Sequence, residues 1–238
     1  MKINRSTWLL FSIFAVLLMG AGLSYAWFSH NIGLTTLMEI QPPDTIKIIP
    51  ISAKNGAEMT ELDLDFNEEY GDTKDQDGTI HIRRPVCIKS TMPVHQLEVV
   101  HTTNLKQLSF QIFPAVKQSD GSFTYNTNQK VSGAYKNQQG ENLAEEETLE
   151  NYKSTADVAD VHAYPLYWLA VNCGDRVKAG SSWQEGWQEV TSETQVEYDP
   201  AKQENKTFYY TYYYIEISWL ETTKETDLFY VMAQNIAE

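Results

Sequence analysis

Cysteine is nearly absent, with two residues in a chain of 238. A disulfide-dense scaffold and any C-x-x-C redox or zinc motif are thereby excluded. Histidine is scarce too: His30, His81, His95, His101 and His162 are the whole set, and no H-E-x-x-H pair occurs. Zinc hydrolysis in its usual form, two histidines one helical turn apart beside a general base, has no motif to stand on. There is no G-x-S-x-G, no Gly-rich phosphate loop and no internal repeat, so no catalytic residue, cofactor site or metal site is assigned, and an enzyme is not expected. Basic residues number 18 against 32 acidic ones, a formal net charge of −14. Nucleic acid or an anionic membrane surface would repel such a chain.

Aromatic residues are plentiful, with 14 Tyr, 9 Phe and 6 Trp, and 42% of the chain is apolar. That is ample for a packed core and leans towards strands, because flat and branched side chains pack well on a pleated surface. The only long apolar run lies near the start. Lys2 and Arg5 precede a stretch from Trp8 to Leu23, and Ser24-Tyr25-Ala26 puts small residues three and one positions before a cut ahead of Trp27. Residues 1–26 therefore read as an export signal. The alternative is an uncleaved membrane anchor over residues 8–28, long enough to cross a hydrocarbon core of about 30 Å. Both readings place the rest outside the cell, at its surface or in the medium. The last residues carry neither an apolar tail nor a basic stop, so wall attachment from that end is not expected.

Residues 27–238 read as one mostly β domain, an antiparallel β-sandwich of jelly-roll or Ig-like kind. Period-two alternation marks Glu61–Phe66, Ile80–Arg83 and Leu108–Ile112 as strands. Thr45–Ile51, Val86–Ile88, Leu97–His101 and Pro165–Cys173 are further candidates. Thr207–Leu220 carries Tyr209, Tyr213, Ile215, Ile217 and Trp219 on one parity and is expected to form a hairpin with Asp227–Ala233. Its aromatic core, Phe208–Ile215, reads as a central strand covered on both faces, with self-stacking the alternative at an edge. Residues 126–161 read as a polar surface excursion with one short helix over Leu143–Tyr152.

Four further features are candidate sites. Cys87 and Cys173 fall in separate strands and are expected to bridge outside the cell, adding about 4 kcal/mol on a chain-entropy argument; the alternative is two buried thiols. His95 and His101 share a parity, which on an unbroken strand means one face. Asp72-Thr73-Lys74-Asp75-Gln76-Asp77-Gly78 hints at a calcium loop, but Arg84 stands where the bidentate acid belongs, so a solvated turn is the plainer reading. Trp183 and Trp187, with Trp168, are candidates for a sugar-binding platform, or for packing on the sandwich.

Tyr25-Ala26-Trp27-Phe28-Ser29 after a Gly-containing apolar run resembles the signal region of exported Gram-positive proteins of the camelysin/TasA type, the SipW-dependent class. Glu98–Asn104, Pro165–Trp168, and Ile217–Leu220 followed by Lys224–Asp227 resemble a group of clostridial surface proteins with this signal. The resemblance implies a β-sandwich that builds or decorates extracellular fibres of a biofilm matrix. Some members are described as proteases, for which this sequence offers no metal motif. Self-assembly or contact with other surface proteins is the partner expected on this basis. The segment Phe28–Ile40, with Ile32, Leu34, Met38 and Ile40 on one parity, is expected to lend a strand to a neighbouring copy. The competing functional reading is a monomeric, membrane-anchored adhesin for a glycan or protein.

Overall fold

The structure, a computed structural model, describes residues 34–39, 45–52, 54–60, 62–102, 108–136, 141–142, 166–199, 202–221 and 228–236. They belong to one compact unit, Gly33–Glu238. The signal region with Ser24, Ala26 and Trp27, the histidines His30 and His162, and the helix expected at Leu143–Tyr152 lie outside the described residues. Among those described, no helix is long and apolar enough to cross a membrane.

The chain is mostly β, and its ladders form two sheets. Sheet one runs β1 (Leu34–Glu39), β13 (Leu228–Asn235), β5 (Val94–His101), β9 (Leu166–Gly174) and β10 (Gln188–Glu189), with β8 (Gly133–Lys136) also on β9. Sheet two runs β2 (Ile46–Pro50), β4 (Thr79–Ser90), β12 (Glu204–Leu220), β6 (Ser109–Lys117) and β7 (Phe123–Tyr125). In the same sheet β11 (Ser192–Asp199) pairs with the first half of β12, and β3 (Thr73–Lys74) with β4. Pairing is antiparallel apart from β1 on β13 and β10 on β9. Among the described residues one α-helix, α1 (Arg176–Ala179), follows β9.

Inward residues of both sheets meet in one buried cluster, from Ile82, Ile88, Ile112, Tyr213 and Ile215 of sheet two to Leu97, Val99, Trp168 and Val231 of sheet one. β12 is central, as its composition suggests. Tyr213, Ile215, Ile217 and Trp219 point into that cluster, while Tyr210 and Tyr212 join Ile49, Ile51, Cys87 and Ala115 in a second one on the other face. A strand apolar on both parities is thus covered on both.

Several expectations are corrected. The C-terminal strands form no hairpin: β12 belongs to sheet two and β13 to sheet one, where it pairs with β5. The hairpin partner of β12 is β11 instead. Ile80–Arg83 and Val86–Ile88 are one strand, β4, running through Pro85. The proline is tolerated because β3 pairs with β4 only up to His81 and β2 only from Val86, so on that side residue 85 only accepts, its carbonyl taking the Ile51 N–H at 3.0 Å, and no ladder bond needs the N–H that proline lacks. Residues 126–161 are not wholly an excursion, since Val131 is buried and β8 joins β9. Glu61–Phe66 forms no strand over its described residues. Leu62 and Leu64 enter the core as their alternation implies, but the backbone there makes no ladder.

Candidate functional site

What the strap over residues 62–72 uses in place of a ladder is a single arginine. Arg84 lies at an inward position of β4, between Ile82 and Val86, and is 2% exposed. A guanidinium carries five N–H donors and no acceptor, and burial obliges each to find an oxygen. Nε donates to the Asp63 carbonyl, and Nη2 to the Asp65 carbonyl at 2.6 Å. Nη1 donates to Asp72 Oδ1 at 2.8 Å and to the Arg83 carbonyl at 2.9 Å, and Nη2 to Asp72 Oδ2 at 2.9 Å. Asp72 also accepts the N–H groups of Asn67 and Arg83. The Tyr70 ring lies 5.0 Å from the guanidinium carbon. A bidentate pair of this kind is directional as well as strong, so it fixes the strap in one place.

The same contacts answer the calcium reading. Asp72 is committed to Arg84, Asp77 Oδ1 accepts the Thr79 N–H at 3.0 Å, and Asp75 Oδ2 sits 3.2 Å from His81 Nε2. The loop closes as a turn, with the Gly78 N–H donating to the Asp75 carbonyl. Gly78 takes φ 90°, a conformation glycine adopts without steric cost. Among the described residues no group of three or more His, Cys, Asp or Glu is placed to hold a metal ion.

The second polar centre joins residues that the sequence left separate. His95 and Cys173 are cross-strand partners on β5 and β9, and Tyr213 faces them from β12 across the core. His95 Nε2 lies 2.8 Å from the Tyr213 hydroxyl, which also bonds the Cys173 thiol. His95, Cys173 and Tyr213 are all 0% exposed, and His95 Nδ1 has no hydrogen-bond partner. Burial pushes the imidazole down to about 4 and the thiol up to about 12, and lifts the phenol well above its usual value. All three are therefore neutral at physiological pH. A Cys beside a His is the outline of a nucleophilic pair, but this thiol is not a thiolate at neutral pH and no solvent reaches it.

His101, the other inward histidine of β5, stands six residues on, about 20 Å along a strand. It bonds the Thr102 carbonyl at 2.8 Å and the Tyr135 hydroxyl at 2.9 Å, among Phe110 and Phe229. The two histidines share a face but not a ligand. The expected bridge is likewise not formed. Neither cysteine is in a disulfide and both are buried, Cys173 in the inner cluster and Cys87 in the cluster on the opposite face of sheet two.

The tryptophan platform loses one member. Trp168 is buried against Phe110, with ring centroids 5.1 Å apart, and so close to β8 that a Cβ on Gly133 would meet its ring at 2.2 Å. Trp183 and Trp187 remain as a pair, centroids 5.6 Å apart and planes at 73°. They follow α1, whose N-cap Asp175 accepts the N–H groups of Lys178 and Ser192 and the Lys178 ammonium. Burial alone would raise this carboxyl, but the ammonium and the two N–H groups outweigh it and hold it below its usual value. Asp175 thereby anchors the start of β11 to α1. Beside the tryptophans lies a cavity of about 350 Å³ lined by Met92, Val94, Ser181, Ser182, Gln184, Trp187 and Ile236. Sequence reasoning missed Arg84–Asp72, Tyr213 and this cavity.

No family model, no curated protein and no solved structure matches the chain.

Proposed function

We propose that the protein is an exported structural subunit of the cell surface or extracellular matrix, and that its folded part is a β-sandwich of jelly-roll or Ig-like kind. The N-terminal segment delivers it through the membrane, cleaved ahead of Trp27 or retained as an anchor over residues 8–28. Copies then assemble by exchanging a strand. The observation that carries this reading is the position of β1. It joins its sheet only through a parallel ladder to β13, Leu34 opposite Leu228 to Glu39 opposite Ala233, and its other edge makes no ladder among the described residues. A strand held along one side at a sheet edge, close behind the signal, is the element another copy can supply in the same register. The resemblance of the signal region to the camelysin/TasA type points the same way.

The test is the size of the native protein recovered from cells and medium, beside a variant lacking residues 28–40. Particles much larger than one chain, starting at Trp27 or Phe28 and lost on deletion, are the expected result. A full-length membrane-extracted monomer, or undiminished assembly by the deletion variant, overturns the strand exchange. The monomeric case would favour a membrane-anchored surface binding module, a reading that the cavity beside Trp187 supports.

A further inference from the structure

From the cavity beside the tryptophan pair we infer a binding site for an N-acetylated pyranose, and this stands whether or not copies assemble. Its volume of about 350 Å³ is at the small end of ligand sites, which suits a sugar ring rather than a polymer-sized partner. Among the described residues lining it none is charged, so the ring that enters it is neutral, whatever the next sugar carries. Trp187 supplies a flat apolar surface, and Trp183, edge-to-face against it, fixes the ring plane before anything binds. Ser181, Ser182 and Gln184 border the same space with two hydroxyls and an amide, groups that both donate and accept. A pyranose presents that combination: a face of C–H bonds to stack on the indole, and a rim of hydroxyls for the polar side chains.

The second apolar part of the lining narrows the class. Met92, Val94 and Ile236 come from the β4–β5 connection, the start of β5 and the residue after β13. Val94 is already buried, while Met92 and Ile236 are half-buried; a plain hexose would leave their exposed parts against water, whereas an acetamido methyl covers them. The two serines and Gln184 are carried on the turn that begins with α1, and Asp175 pins that turn to Ser192. The wall of the site is therefore attached to both sheets.

Saturation-transfer NMR with the full chain, held in a non-glycosidic detergent, tests the assignment with N-acetylglucosamine and glucose as probes. The expected result is transfer strongest at the acetyl methyl, with a Kd of about 1 mM and glucose at least about tenfold weaker. Trp187→Ala is expected to abolish transfer, and Gln184→Ala, in an exposed turn, to weaken it about threefold while the fold stays intact by circular dichroism. No transfer from N-acetylglucosamine, equal transfer to glucose, or full transfer in both folded variants overturns the proposal. Chitobiose against an N-acetylglucosamine–N-acetylmuramic acid disaccharide then separates a general glycan from a wall glycan as the source of the sugar.

Discussion

The core buries two polar centres by opposite means. At one, a full ionic pair, Arg84 with Asp72, finds partners for all five guanidinium donors and for both carboxylate oxygens. At the other, His95, Tyr213 and Cys173 avoid charge altogether, and one imidazole nitrogen is left without a partner. The first has backbone work to do: it replaces the ladder that the strap over 62–72 lacks. The second joins one sheet to the other through side chains alone. A buried charge is tolerable where it organises backbone that would otherwise go unbonded, and a buried neutral group where its proton cannot easily change.

The largest effect is expected from breaking the ionic centre. Asp72→Asn leaves a buried guanidinium without its counter-charge and should cost about 3–5 kcal/mol, read from denaturant midpoints. The sharper measurement is the pair Arg84→Met with Asp72→Leu. A buried ion pair replaced by apolar isosteres is often neutral or stabilising. Here the carbonyls of Asp63 and Asp65 and the N–H groups of Asn67 and Arg83 lose their partners as well. The double variant should remain at least about 2 kcal/mol below wild type. Full recovery would mean that the strap does not depend on Arg84.

The neutral centre should show itself in the pH dependence. The His95 imidazole titrates near 6.5 when unfolded and at about 4 when folded. Between these values the unfolded chain binds the proton and the folded one does not. The contribution is thus complete above pH 6.5 and is lost as pH falls towards 4, amounting to about 3 kcal/mol. The Tyr213 phenol and Cys173 thiol stay protonated throughout and add no slope of their own. Stability measured from pH 7 to pH 4 should fall in wild type and stay flatter in His95→Leu. An equally steep variant would assign the slope to other groups.

How much of this was legible turns on what a local pattern reports. Alternation reports which side chains go inside, and it placed Leu62, Leu64, Ile215 and Trp219 correctly. It does not report whether the backbone finds a ladder, so Glu61–Phe66 looked like a strand although Arg84, 19 and 21 residues away, holds its carbonyls. Nor does it report whether a turn returns to the same sheet, which is why β13 was joined to β12 instead of β5. β11 escaped notice because its residues are mostly polar, and Val196 and Tyr198, at 64% and 62% exposed, pack on little. One feature of the sequence does mark the ionic centre. Ile80, Ile82, Arg84, Val86 and Ile88 share a parity, and a cation in the middle of an apolar row demands a buried acid. The His95–Tyr213–Cys173 trio had no such mark, because its members meet only through the stacking of two sheets.

The smallest of the expected effects separates the two centres most cleanly. Tyr213→Phe keeps the ring and removes one oxygen, so core volume and the edge-to-face contact with His95, at 5.8 Å and 89°, are preserved. What is lost is the hydrogen bond between Nε2 and the hydroxyl, which leaves the imidazole with no partner at either nitrogen, and the bond to the Cys173 thiol. The cost should be about 1–2 kcal/mol at pH 7, well short of Asp72→Asn, because no charge is stranded. The imidazole would still titrate far below 6.5, since burial and not the phenol depresses it, so the slope between pH 6.5 and pH 4 should persist. A loss as large as that of Asp72→Asn would show the hydroxyl to be as structural as the ion pair. No loss at all would mean that packing alone holds the two sheets together at this point.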